Sequence, residues 1–185
     1  MTYNPDLHHR RSIRLKGYDY SQTGLYFITL CCQNRACLFG EIENGKMILN
    51  DAGRMIEKWY FELENKYPDK RCHEMVVMPN HFHCIIENVM LHDDVDYFRD
   101  AHPENKYGMH NIKHHATIGD AMDWFKTMTT NEYIRNVKTE NWQPFDKKLW
   151  QRNYWEHIIR NEQSFVKISE YIINNPVSWR NDSLK

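Results

Sequence analysis

Runs of apolar, β-branched and aromatic residues predict the strands of this chain. One run contains Asn44-Gly45, a dipeptide typical of two-residue hairpin turns, and is therefore expected to form a hairpin. Another is interrupted by Pro79-Asn80, which is compatible with two strands or with one strand containing a bulge, and we expect one long strand. The predicted strand regions are Leu25 to Gln33, Leu38 to Leu49, His73 to Glu87 and Tyr154 to Arg160.

Apolar residues at helical spacing predict three helices. The first runs from Asp51 to about Lys66, the second from Thr117 to about Asn136, and the third begins near Asn161. Each starts beside a residue type that caps helices. Their apolar stripes are Ala52, Ile56, Trp59 and Leu63; Ile118, Ala121, Phe125 and Met128; and Phe165, Ile168 and Ile172.

The order of these elements predicts the fold class. Strand, hairpin, helix, strand, helix, strand and helix indicate an α+β domain of the split βαβ type, with a central antiparallel sheet and helices mainly on one face. A chain of 185 residues that is 41% hydrophobic can bury one core, so we expect a single domain over residues 1–185. Two segments lie outside these elements, a basic N-terminal arm over about 1–20 and a polar loop insertion over about 88–116.

The charge pattern limits how the chain could bind nucleic acid. A net charge of −1 is not the overall basicity typical of nucleic-acid-binding proteins, so binding would depend on local patches. Solvated charge without a ligand is the alternative for each residue. The candidates are Arg10, Arg11, Arg14 and Lys16 in the arm, followed by Lys126, Lys147, Lys148 and Arg152.

Cysteine usage and hydropathy point to the compartment. The five cysteines are an odd number without Cys-x-x-Cys spacing, which supports neither a disulfide framework nor a structural zinc site. No apolar run has the length of a membrane span, and the first residues lack the apolar core of a signal peptide. We therefore expect reduced thiols, a cytoplasmic protein and no membrane partner.

His81 and His83 are the first candidates for chemistry. In an extended chain, residues two apart point to one face, so both imidazoles share a face while Phe82 points to the other. Imidazole is a ligand for several divalent metals, although two histidines leave at least a third ligand to be found. Taken alone, a His-x-His pair on a strand is more often a surface pair or a packed pair than a metal site.

Tyr171 and Asn175 are the second candidates, in the third predicted helix. Their spacing of four residues places both on one helix face. Asn175 offers an amide oxygen that suits a divalent metal, and Tyr171 offers a phenol that can act as a nucleophile. The alternatives are a tyrosine that packs the helix against the sheet and a helix stop at Asn174-Asn175-Pro176.

Three segments of the chain together resemble the single-tyrosine HUH transposases, most closely the REP-associated tyrosine transposases. They are the strand ending Val-Val-Met-Pro-Asn-His-Phe-His at His83, the segment from Trp150 to Glu162, and Tyr171 to Val177. They occur in the family's order and cover the chain from the first predicted strand to the C-terminus. The resemblance implies a ferredoxin-like architecture. It implies His81 and His83 as metal ligands, Tyr171 as the nucleophile, and Asn175 as the third ligand, where other single-tyrosine enzymes carry a glutamine.

The resemblance also implies an activity. It implies a metal-dependent endonuclease and strand transferase for single-stranded DNA that forms a 5′-phosphotyrosine intermediate, recognises a DNA hairpin and acts at the bacterial nucleoid. Mg²⁺ or Mn²⁺ is the expected cofactor. Monomer and homodimer both stay open, since the family's tyrosine works within one subunit or is exchanged in a dimer. His157 and Glu170 are supporting candidates for ionising the phenol.

Two other classes compete with this interpretation. Histidine-triad nucleotide hydrolases also carry alternating histidines on a strand, but Ile85 occupies the next alternating position here. A non-catalytic protein that binds single strands or hairpins through aromatic residues of a sheet is the other alternative. The combination of His81, His83 and Tyr171 favours the enzyme.

Overall fold

A computed structural model of the protein describes residues 15, 17–90 and 115–185. The predicted N-terminal arm and the loop insertion therefore lie largely outside the described residues. The elements in chain order are β1 (Gly24–Cys31), β2 (Gly40–Glu43), β3 (Lys46–Leu49), α1 (Asp51–Lys66), β4 (Lys70–Met78), β5 (His81–Asn88), α2 (Ile118–Thr139), β6 (Trp155–Ile159) and α3 (Glu162–Ser178).

Four strands form one antiparallel sheet in the order β4-β5-β1-β6. The hairpin of β2 and β3 forms a separate small sheet and turns at Asn44-Gly45 as expected. Since α1 lies between β1 and β4 in the chain and α2 lies between β5 and β6, the two helical connections give the split βαβ arrangement. The predicted α+β fold with a central antiparallel sheet is confirmed.

Most of the core lies between the sheet and the first two helices. Tyr26, Ile28 and Leu30 point to this face from β1, and Phe82 and its alternate neighbours point to it from β5. The ring of Phe82 stacks on Phe125 of α2, with centroids 5.4 Å apart. This core covers one face of the sheet.

The opposite face of the sheet carries only α3 among the described helices. Here Ile85, Ile159 and Ile172 are buried in a second, smaller cluster, against which Phe165 and Ile168 of the predicted stripe also pack. The helix lies over β4 and β5. The expectation that the helices lie mainly on one face is therefore correct, and α3 is the exception.

The expectation of one long strand from His73 to Glu87 is wrong. Met78 pairs with His81, so the chain turns back at Pro79-Asn80 and forms two adjacent strands, β4 and β5. Pro79 has no N–H to donate to a ladder, and its carbonyl accepts instead from the backbone N–H groups of Leu38 at 2.8 Å and Phe39 at 3.1 Å. The turn places His81 at the start of a central strand.

The helix boundaries follow their caps. The Asn50 side chain accepts from the N–H of Gly53 at 2.9 Å, Thr117 and Asp120 form a capping box, and Asn161 caps α3. The last helix continues through Pro176 to Ser178, so Asn174-Asn175-Pro176 is not its end. All five cysteines lie in the described residues and are free thiols. Among the described helices, none is long and apolar enough to cross a membrane.

The core behind β5 can be tested with two phenylalanines. Phe82→Ala should lower the free energy of unfolding by about 3–5 kcal/mol, because it removes a fully buried ring and leaves a cavity. Phe61→Ala, on the exposed side of α1, should change it by less than about 0.5 kcal/mol. Urea unfolding followed by circular dichroism measures both. Equal losses would contradict the described packing.

Candidate active site

β5 places His81 and His83 side by side beneath α3. Their side chains are 0% and 1% exposed, and the ring centroids lie 4.6 Å apart. Phe82, between them, points into the opposite core. The shared face that the spacing predicts is therefore present.

Asn80 determines which nitrogen of His81 carries the proton. The Asn80 amide nitrogen donates to the carbonyls of Leu184 at 2.9 Å and Arg35 at 3.3 Å, which turns its oxygen toward the ring. That oxygen lies 2.7 Å from His81 Nδ1, so Nδ1 must be the donor. His81 Nε2 then keeps its lone pair, and this buried atom has no hydrogen-bond partner among the described residues.

His83 is held between β1 and α3. Its Nδ1 lies 2.7 Å from Oγ1 of Thr29, the residue directly opposite on β1, and its Nε2 lies 3.3 Å from the Tyr171 hydroxyl. When Nδ1 donates to Thr29, Nε2 accepts from Tyr171. The Phe27 ring stacks on His83 with centroids 5.3 Å apart and meets Tyr171 edge-on at 6.0 Å.

Burial keeps both histidines neutral at neutral pH. It lowers the pKa of His81 to about 4, against the opposing effects of the Asp182 charge and the Asn175 side chain. Burial, and then the neighbouring His81, lower the pKa of His83 to about 3. Neutral imidazoles are the form that binds metals.

α3 supplies the other half of the site. Asn175 is 2% exposed, and its Oδ1 has no hydrogen-bond partner among the described residues, whereas Tyr171 is 46% exposed. Burial and the charge of Asp182 raise the pKa of Tyr171, while a hydrogen bond from Asn175 lowers it. The structure thus brings together His81, His83, Tyr171 and Asn175.

Asp182 is a residue of the site that the sequence did not reveal. It follows a short 3-10 turn, Trp179–Asn181, and its Oδ2 lies 3.6 Å from His81 Nε2 with the side chain 6% exposed. The Trp179 ring lies over His81, with centroids 6.0 Å apart. Asp182 and Trp179 do not stand at a spacing in the sequence that indicates a site, and neither does Thr29. Asn80 is different, because it lies next to His81 in the histidine motif.

The donor atoms fit a divalent metal. His81 Nε2, Asn175 Oδ1 and Asp182 Oδ2 are buried polar atoms without hydrogen-bond partners among the described residues. The Nδ1 atoms of both histidines are tethered, as is usual for metal-binding histidines. Over residues 15, 17–90 and 115–185, no three His, Cys, Asp or Glu side chains form a metal-binding group. A metal here would depend on the amide of Asn175.

The two supporting candidates, His157 and Glu170, lie outside the buried part of the site. His157 is exposed on β6, directly opposite Phe27, so it shares the face of the site without being enclosed in it. Glu170 is exposed and points about 100° around α3 from Tyr171. The geometry supports neither as strongly as it supports the histidine pair.

The predicted basic residues of the second half of the chain do cluster. They line a groove of about 520 Å³ between α2 and the segment that precedes β6. The Lys126 ammonium donates to the carbonyls of Gln151 at 2.7 Å and Arg152 at 2.9 Å, so it also holds this segment in place. The basic residues of the groove are Lys126, Lys147, Lys148 and Arg152. Arg10, Arg11, Arg14 and Lys16 lie outside the described residues.

Comparisons with known proteins identify relatives of this chain in sequence. An uncharacterized protein of Haemophilus influenzae is 40% identical over 189 residues, which cover 98% of this chain and 96% of the relative. A second protein of that organism, provisionally named a REP-associated tyrosine transposase, is 24% identical over 86% of this chain and 73% of its own length. No protein-family model matches the chain.

A solved structure shows the same fold. It is a REP-associated tyrosine transposase bound to a REP hairpin, with a TM-score of 0.55, 19% identity, and coverage of 92% of this chain and 74% of that chain. The chain therefore shares the fold of a solved tyrosine transposase and is similar in sequence to a relative provisionally named for that family. The chain belongs to one family with the 40% identical protein, and its resemblance to the REP-associated tyrosine transposases is confirmed.

The orientation of His81 gives a prediction. In ¹⁵N–¹H NMR spectra at pH 7, His81 should be neutral with its proton on Nδ1, because Asn80 presents an oxygen to that nitrogen. His73, whose Nε2 faces Glu87 at 2.8 Å, is the comparison histidine. A proton on His81 Nε2 would contradict the hydrogen bonds described for Asn80.

Proposed function

We propose that the protein is a metal-dependent endonuclease and strand transferase for single-stranded DNA, with Tyr171 as its nucleophile. The observation that carries the proposal is the 3.3 Å separation between the Tyr171 hydroxyl and His83 Nε2, across 88 residues of sequence. A half-exposed phenol beside two buried, neutral imidazoles suits attack on a group that arrives from solvent.

The reaction would exchange one phosphoester for another. The Tyr171 oxygen would attack the phosphorus of a phosphodiester, the bond from phosphorus to the 3′ oxygen would break, and that oxygen would leave as a hydroxyl. The 5′ phosphate would remain on Tyr171 as a phosphotyrosine. Because the energy of the ester is retained, attack by another 3′ hydroxyl can rejoin DNA without a nucleotide cofactor.

His81, His83 and Asn175 would hold the divalent cation, Mg²⁺ or Mn²⁺. When bound, the cation would neutralise a non-bridging phosphate oxygen and orient the phosphorus for in-line attack. The tethers to Asn80 and Thr29 keep the two Nε2 atoms facing the site. The lone pair on His83 Nε2 can accept a hydrogen bond from Tyr171 or bind a metal, but not both at once. Tyr171 would therefore release this nitrogen when it binds metal.

The phenol must lose its proton before or during attack. An ordinary tyrosine phenol, with a pKa of about 10, is already protonated at neutral pH. Burial and the Asp182 charge raise the pKa of Tyr171 further. His157 and Glu170 remain candidates for removing the proton. Asp182 is a third, since its carboxylate is near enough to act electrostatically on both Tyr171 and His81.

The substrate would be cytoplasmic DNA in the form of a hairpin with single-stranded flanks. The solved relative is bound to a REP hairpin. With a net charge of −1, the chain would contact phosphates through local patches, and the basic groove is the patch that the structure describes. A covalent adduct separates this proposal from a non-catalytic hairpin-binding protein.

Tyr171→Phe should abolish the covalent protein–DNA adduct and leave hairpin binding within about twofold, because only the attacking oxygen is lost. The measurement is denaturing gel electrophoresis after incubation with labelled hairpins that carry single-stranded flanks, in the presence of Mn²⁺.

Tyr133→Phe and Tyr154→Phe are the matched controls and should keep the adduct. An adduct that survives in Tyr171→Phe would assign the nucleophile to another residue. Hairpin binding by the unmodified protein without any adduct would instead support the non-catalytic alternative.

His81→Ala and His83→Ala should each remove Mn²⁺ binding measured by calorimetry, because each deletes a neutral nitrogen donor. Asn175→Ala should weaken binding less, since an amide oxygen is the weaker ligand. His73→Ala is the matched control, because His73 lies on β4 and pairs with Glu87 outside the site. Unchanged affinity in the first two variants would refute the metal site.

A further inference from the structure

Trp155 is an exposed indole beside the candidate active site. All six tryptophans of the chain lie in the described residues, and five of them are buried or half-buried. Trp155 is 63% exposed. The apolar surface of a tryptophan is costly to leave in water, so its position merits a functional explanation.

The sheet register places Trp155 in one row with His83. Trp155 and His83 both pair with Thr29, one from each side, so the three side chains share a face of the sheet. Adjacent strands are about 4.8 Å apart, which puts the Trp155 and His83 Cα atoms about 10 Å from each other. α3 lies over β4 and β5, and Trp155 stands on β6 beyond this cover.

The exposed residues near Trp155 in the chain include polar and basic side chains. His157, also exposed, follows on the same face of β6, opposite Phe27. The segment that leads into β6 contains Arg152 and comes directly from the basic groove. A ligand that combines negative charge with flat rings fits this surface better than an apolar protein segment does.

We propose that Trp155 is a stacking subsite for an unpaired nucleobase of the DNA strand that enters the site. This inference rests on the proposed function and adds to it the position of a base close to the phosphate under attack. A base on the indole would hold the strand across Thr29 and Phe27 toward Tyr171. Stacking uses the flat face that every base has, so this subsite tolerates sequence differences.

The test measures binding in the Tyr171→Phe background, where no cleavage intervenes. The probes are an oligothymidylate of about 12 nucleotides, within the range of single-strand site sizes, and an abasic oligonucleotide of equal length. Oligothymidylate should quench the fluorescence of Trp155. Trp155→Ala should abolish this quenching and weaken oligothymidylate binding roughly five- to hundredfold, without changing the affinity for the abasic probe.

Two variants serve as controls. Trp155→Phe should restore most of the affinity, because it restores an aromatic face. Phe61→Ala removes another exposed aromatic residue, on α1 across the sheet, and should have no effect. Equal losses on both probes, no loss on oligothymidylate, or a change in oligomeric state without a change in DNA affinity would each overturn the subsite.

The outcome is independent of the nucleophile. If the unmodified protein forms the adduct while Trp155→Ala binds oligothymidylate normally, the subsite fails and the proposed function stands. If no adduct forms while Trp155 still distinguishes the two probes, the protein binds single strands at this subsite and the proposed enzyme activity fails.

Discussion

The antiparallel pairing of β1 with β5 is the constraint on which the rest of the structure depends. This pairing places Thr29 opposite His83. It also determines which side chains of the two strands point to each face of the sheet. Because strand side chains alternate, a register shift of one residue would turn the histidines into the large core and Phe82 out of it. The stacking of Phe82 on Phe125 therefore stabilises the orientation of the site as well as the fold.

Three polar atoms of the site are buried without hydrogen-bond partners among the described residues. An unsatisfied buried group costs about 1–3 kcal/mol, and His81 Nε2, Asn175 Oδ1 and Asp182 Oδ2 are three such atoms in the site. Meanwhile the Nδ1 atoms of both histidines have partners. Of the two nitrogens that face the site, His83 Nε2 accepts from Tyr171 and His81 Nε2 has no partner among the described residues.

Local patterns predicted the elements, and non-local contacts determined the site. Helical spacing and caps are properties of short segments, which explains the accurate start of α1 after Asn50. At Pro79-Asn80 the same alternation fits one strand or two, and the antiparallel pairing of Met78 with His81 shows that the chain turns back there. The approach of Tyr171 to His83 rested on family resemblance, since no periodicity spans 88 residues. Asp182 was indicated neither by a local pattern nor by the family resemblance.

The two halves of the site are supported by unequal cores. The histidines are fixed by the large cluster behind the sheet, whereas Tyr171 stands on a helix that is anchored through the small cluster of Ile85, Ile159 and Ile172. Local opening requires less free energy where fewer apolar contacts must be broken. The alignment of Tyr171 with the histidines therefore depends on the smaller cluster. Substitutions in that cluster would misalign the reacting groups while the rest of the molecule still folds.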